Sequence, residues 1–128
     1  MKRLIAFVLM IAFLLTGCAK GKPKDMPQDI YDQGVILVNV IDDYFKGNAT
    51  IEQIKSTKDD VTDYVLNKNT NDLSVNETIK TVEIGNCLTS ISLALNDLEY
   101  GWAMDKNQKD SEKKFKDAYK KLKQTLNM

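Results

Sequence analysis

The side-chain types that most often do nucleophilic or acid–base chemistry near neutral pH are scarce in this 128-residue chain. There are two cysteines, Cys18 and Cys87, and no histidine. Without histidine the chain lacks the commonest general base and the commonest zinc ligand. A Cys–His pair or a Ser–His–Asp triad is excluded outright, and no Gly-rich phosphate loop occurs. Cys87 lies in an apolar periodic stretch with no cation beside it in sequence, where a cysteine behaves as a small buried hydrophobe. The acidic clusters Asp42–Asp43 and Asp59–Asp60–Asp63 lack the D-x-D loop with glycine that calcium favours, so they read as solvated helix faces. No catalytic residue, no cofactor site and no metal site is therefore expected. Cys18 stands apart because of the residues that precede it.

Lys2 and Arg3 form a short positive region, followed by an unbroken apolar run from Leu4 to Leu15. As a helix, twelve residues reach about 18 Å, against a bilayer core about 30 Å thick. The run is too short to span and has the length of a signal-peptide apolar region. Thr16 and Gly17 are small enough for peptidase access, and Cys18 follows directly. The stretch Leu15-Thr16-Gly17-Cys18 resembles the lipobox of bacterial lipoproteins. That resemblance implies a diacylglyceryl thioether on Cys18, cleavage between Gly17 and Cys18, and a mature chain that begins at the lipidated cysteine. The thiolate suits the step because it is a strong nucleophile. Two acyl chains give stable anchoring where one gives only marginal binding. The expected division is a signal peptide over 1–17, a lipidated cysteine with a short basic tether over 18–25, and a helical domain over 26–128. The implied place is the extracytoplasmic face of a cell membrane, through diacylglyceryl-Cys18. In a cell with two membranes this includes the outer one, since Ala19 is not the aspartate associated with inner-membrane retention.

The whole chain carries 18 basic and 18 acidic residues. Without Lys2 and Arg3 the balance is 16 to 18, and no arginine remains. This is no footprint for nucleic acid. The charge is unevenly distributed. Residues 25–104 hold five lysines against fourteen acids, whereas residues 105–128 hold eight lysines against four acids.

Four helices are predicted. The first covers about Pro27 to Phe45, with Ile30, Gly34, Leu37, Val38, Ile41 and Phe45 on one face and Gly47–Asn48 as its stop. The second begins at Thr50, where Thr50-x-x-Gln53 is a capping box, and carries Ile51, Ile54, Val61, Tyr64 and Val65. The third begins at Ser74 with a second capping box, Ser74-x-x-Glu77. Its residues Ile84, Leu88, Ile91, Leu95, Leu98 and Trp102 recur at spacings of four and three, a packing seam with Cys87 and Ala94 beside it. The fourth covers about Gln108 to Leu126, with Phe115, Ala118, Tyr119, Leu122 and Leu126 as its stripe. Short connections make neighbours antiparallel. The expected fold is an all-α, antiparallel up-down four-helix bundle.

Two surfaces are candidates for contact. On the fourth helix Lys106, Lys109, Lys113, Lys116, Lys120 and Lys123 recur at spacings of three and four, a basic stripe suited to anionic membrane or merely to solvent. At the end of the third helix Tyr100 and Trp102 are residue types enriched in interfaces. The expected function is a membrane-anchored, non-enzymatic interaction or adaptor module that meets another envelope protein. The alternative is a carrier that holds an apolar ligand between its helices. The anchor itself is directly testable. Cys18→Ser is expected to leave the uncut precursor and to mislocalise or release the protein, read by fractionation and by the mass of the N-terminal peptide. A processed, membrane-bound serine variant would contradict the lipobox reading.

Overall fold

The computed structural model describes residues 21–101 and 107–128. The signal segment, Gly17 and Cys18 lie outside these residues, as do Trp102 and Lys106. Helix α1 spans Gln28–Phe45, α2 Ile51–Leu66, α3 Val75–Tyr100 and α4 Gln108–Thr125. No strand occurs among the described residues. Successive helices pack on one another, and α4 returns to pack on α1. The long helix α3 also reaches α1 across the bundle, while α2 and α4 stand at opposite corners. This is the antiparallel up-down four-helix bundle that the periodicity predicts.

The helix ends follow local chemistry. At Thr50 the backbone N–H donates to Gln53 Oε1 at 2.8 Å, and Gln53 N–H donates to Thr50 Oγ1 at 3.2 Å. At Ser74 the same exchange joins Ser74 N–H to Glu77 Oε2 at 2.8 Å and Glu77 N–H to Ser74 Oγ at 3.2 Å. Both capping boxes thus satisfy two backbone donors reciprocally. The Ser74 backbone N–H, followed by its hydroxyl, holds the Glu77 carboxyl below the usual carboxylate range. The end of α1 is a Schellman turn. Gly47 adopts φ 79°, its N–H reaches Tyr44 O at 3.0 Å, and Asn48 N–H reaches Asp43 O at 2.8 Å. At the end of α4, Asn127 takes the same role with φ 58°, and Met128 N–H reaches Lys123 O at 2.9 Å. Glycine and asparagine tolerate this left-handed backbone best.

The core is filled from all four helices. Ile30, Leu37, Val38 and Ile41 of α1 meet Ile54, Val61 and Val65 of α2, Ile84, Leu88, Ile91 and Leu95 of α3, and Phe115 and Leu122 of α4. Thr81 is buried with them, its hydroxyl satisfied by Glu77 O at 2.9 Å. Cys87 is also buried, its sulfur 3.4 Å from Thr125 Oγ1. Before α1, Pro23 and Met26 are buried too, and Met26 N–H closes a turn on Pro23 O at 3.2 Å. The packed domain therefore starts inside the stretch expected to be a solvated tether. Two predicted stripe residues lie at the margin instead. Phe45 ends α1 half-exposed, and Tyr64 turns its hydroxyl outward to Asp29 Oδ2 at 2.8 Å.

One end of the bundle gathers the first described residues, the α2–α3 connection and the C-terminus. Asp29 in the first turn of α1 accepts from Lys68 beyond α2 as well as from Tyr64. Burial alone raises the Asp29 carboxyl, but these bonds outweigh it and hold the group below its usual range. The field of Lys22 reaches Glu77 at the start of α3. Leu126, fully buried after α4, lies against Gly34 of α1.

Gly34 and Gly85 make a controlled pair. A Cβ at Gly34 would sit 2.8 Å and 2.9 Å from the methyls of Leu126, whereas a Cβ at Gly85 meets nothing within 4 Å. Alanine gains about 0.5–1 kcal/mol over glycine in a helix interior, and overpacking a core costs about 1–3 kcal/mol. Gly85→Ala is therefore expected to raise stability by about 0.5–1 kcal/mol in denaturant melts, while Gly34→Ala lowers it. Equal gains at both positions would contradict the packing of Leu126 on α1.

Candidate contact surface

Helix α3 differs from its neighbours in having no charged face. It spans 26 residues, about 39 Å at the usual helical rise. One side carries the buried seam of Ile84, Leu88, Ile91 and Leu95. The residues that α3 exposes to solvent are Val75, Asn76, Ile79, Val82, Asn86, Thr89, Leu93, Asn96 and Tyr100. None of these is charged. Asn76 aside, they recur at spacings of four and three from Val75 to Tyr100, a second seam on the side of the helix away from the core. Its five apolar or aromatic members, Val75, Ile79, Val82, Leu93 and Tyr100, are each between 51% and 76% exposed. A helix face that meets only water normally carries lysine and glutamate, because such side chains keep their hydration there. The charged residues of α3 lie instead on its half-buried flanks, and several are paired. Lys80 meets Glu83 at 2.8 Å, Glu99 takes Lys55 of α2 at 2.8 Å, and Asp97 takes Lys114 of α4 at 3.1 Å.

Shallow grooves flank this face on both sides. Between α3 and α4 an open groove of about 640 Å³ is lined by Ser90, Leu93, Ala94, Lys114, Ala118 and Lys121 among others. Between α2 and α3 a groove of about 220 Å³ is lined by Leu66, Gly85, Leu88, Thr89, Ser92 and Leu93 among others. Leu93 borders both, so it stands as a ridge between two apolar-floored troughs. Alanine, glycine and serine at several lining positions leave the space that these grooves occupy.

The basic stripe of α4 lies elsewhere. Lys109, Lys113, Lys116 and Lys120 are exposed, and none of them makes an ion pair among the described residues. Lys123 is half-buried, its ammonium 5.4 Å from the centre of the Tyr119 ring, a cation–π contact. Tyr119 in turn donates its hydroxyl to Asp42 of α1, and burial with that carboxylate keeps it protonated far above the usual phenol range. Lys116 lines a recess of about 240 Å³ with Tyr44, Phe45, Leu98, Glu112 and Phe115. The stripe thus belongs to the α1 side of α4, while Tyr100 closes the exposed seam of α3. Trp102 falls outside the described residues. Of the predicted contact residues, Tyr100 is the one that joins the uncharged face, and the rest of that face was not singled out by sequence reasoning. The run from Ile84 to Asn96 holds no Asp, Glu, Lys or Arg in a chain that is 28% charged, and that run was the available signal.

The acidic pairs are also placed. Asp42 is engaged by Tyr119, and Asp43, Asp59, Asp60 and Asp63 are exposed. No group of three or more His, Cys, Asp or Glu side chains among the described residues is arranged to hold a metal ion. No described helix is long and apolar enough to cross a membrane. Neither a known protein family, nor a curated protein, nor a solved structure matches the chain.

Burial, not charge, holds α4 to the bundle, because Lys114–Asp97 is its one ion pair to another helix among the described residues. Exposed pairs contribute about 0–1 kcal/mol each. Changing Lys109, Lys116 and Lys123 to Glu together is therefore expected to leave the helical circular dichroism unchanged and to cost about 1 kcal/mol or less. Most of that loss comes from Lys123, which leaves the Tyr119 ring and places an acid at a helix C-terminus. Unfolding of the triple variant would contradict this account of α4.

Proposed function

We propose that this protein is a non-enzymatic interaction module held at the extracytoplasmic face of a cell membrane by a lipidated Cys18. The observation that carries the interaction reading is the uncharged solvent face of α3. An exposed apolar strip of this length costs solubility unless something covers it, and interface cores are depleted in charge in the same way. The lipobox resemblance, with its apolar run and small residues, supports the anchor. The position of the first described residues supports it as well. Gly21 and Met26 lie at the end of the bundle where α3 begins, so a short tether from Cys18 lets α3 stand away from the membrane with its outer face free.

The carrier reading has less support. The side chains buried between the helices meet one another along the described length of the bundle. The recesses are surface grooves, each bordered by at least one charged side chain, whereas a site for an apolar ligand is concave and encloses most of that ligand.

A photo-crosslinking amino acid at Leu93 tests the interaction reading in intact cells, with the same substitution at Asp59 on α2 as the control face. Covalent protein adducts are expected from position 93 and not from position 59. Absence of protein adducts from 93, or equal adducts from both positions, would contradict it.

A further inference from the structure

We propose that the occupant of the α3 face is a second copy of this chain, with the two α3 helices packed parallel about a two-fold axis. This deepens the interaction reading and rests on it, and the parallel direction rests on the lipid anchor.

The first argument is the register of the exposed seam. Val75, Ile79, Val82, Asn86, Thr89, Leu93, Asn96 and Tyr100 are all solvent-facing and follow the heptad rhythm of a two-stranded coiled coil. In heptad letters Ile79, Asn86, Leu93 and Tyr100 occupy a positions, and Val75, Val82, Thr89 and Asn96 occupy d positions. Ile and Leu at a, with Val at d, supply the apolar knobs. Asn86 at an a position in mid-seam is the device that fixes register and strand number in such pairs, because a misaligned copy would leave its amide facing an apolar side chain. An identical helix supplies an identical asparagine at the matching place, and a two-fold axis sets each residue against its own copy.

The second argument is charge. Every helix except α4 has an excess of acid, so a self-contact elsewhere on α1, α2 or α3 sets acid against acid. In a parallel α3 pair the flanking g and e′ positions bring Thr78 to Glu83, Gly85 to Ser90, and Ser92 to Asp97 of the other copy. None of these pairs holds two like charges. The small flanks Gly85, Ser90 and Ser92 also let the two helices approach closely.

The third argument is where the chain begins. Asp29 in the first turn of α1 pairs with Lys68 in the connection that leads into α3, so the anchored end of the chain and the start of α3 share one end of the bundle. Two copies anchored in one membrane have those ends side by side. Their α3 helices then run in the same direction, away from the bilayer, with outer faces able to meet. An antiparallel pair would lift one anchor to the far end.

The test uses the full mature chain purified in detergent and the same chain in phospholipid vesicles. Mass by light scattering is expected at twice that of the protomer after correction for detergent. Leu93→Cys, oxidised with copper–phenanthroline, is expected to give a disulfide-linked dimer, and Lys116→Cys none. Val82→Glu with Leu93→Glu is expected to halve the mass while the helical circular dichroism persists. A monomeric wild type with no Leu93→Cys dimer overturns the second copy. If Leu93 photo-adducts in cells then carry a different protein, the interaction reading stands without this proposal. If no protein adducts form, both fall. A disulfide that joins Leu93→Cys to Val82→Cys but not to itself overturns the parallel arrangement. The mass of the N-terminal peptide reports lipidation separately in each case.

Discussion

Water is excluded from the seam Ile84–Leu88–Ile91–Leu95 only because three other helices lean on it, and this burial organises the bundle. α3 is the helix that runs furthest, and α1, α2 and α4 all pack against it. Truncating one such buried leucine costs about 2–5 kcal/mol, more than a surface ion pair contributes. The other devices follow from that burial. The capping boxes at Thr50 and Ser74 fix where α2 and α3 start, so that the α2 stripe meets the α3 seam in register. Leu126 closes the end of α4 on Gly34, where the lack of a Cβ leaves room for it.

A helix with one buried side usually surrenders the other to lysine and glutamate. α3 does not, and the difference has structural consequences. Its charged residues are displaced to the flanks, where they tie α3 to its neighbours: Glu99 to Lys55 and Asp97 to Lys114. The solvent face is left to valine, isoleucine, leucine, asparagine, threonine and tyrosine. The basic charge of the chain is carried by α4, which is attached by Phe115, Ala118 and Leu122 rather than by its lysines. Core, flank ties, uncharged face and basic face are thus separate parts of one small domain.

Much of this was legible in the sequence because it depends on local rules. Ser74-x-x-Glu77 states a helix start in four letters, and Ile84 to Leu98 states a buried seam by period alone. Gly47 announced the end of α1. Other features depend on tertiary placement and were not legible. Pro23 and Met26 are buried although no periodicity marks them, since they lie outside any helix. Thr81 reads as polar, but its hydroxyl is satisfied by Glu77 O one turn back, so it packs as a core residue. Phe45 and Tyr64 fit the apolar stripes by angle, yet one ends its helix at the rim of the bundle and the other spends its hydroxyl on Asp29. The outer face of α3 escaped notice because asparagine and threonine interrupt its apolar residues. What distinguishes that face is the absence of charge, which only the exposure pattern makes visible. The lipobox resemblance of Leu15-Thr16-Gly17-Cys18 is read from sequence alone and lies outside the described residues.

The central claim is that the outer face of α3 is covered in the cell, at the membrane where the proposed anchor would hold it. The direct measurement is the rate at which a membrane-impermeant maleimide labels single cysteines at Val82, Leu93 and Asp59 in native membranes and again after dilution into detergent. Cys87 is buried and supplies the background. The account predicts that Asp59→Cys labels rapidly in both conditions, whereas Val82→Cys and Leu93→Cys are protected in the membrane and become reactive in detergent only at protein concentrations low enough to dissociate the complex. Equal labelling of all three positions in native membranes would contradict it.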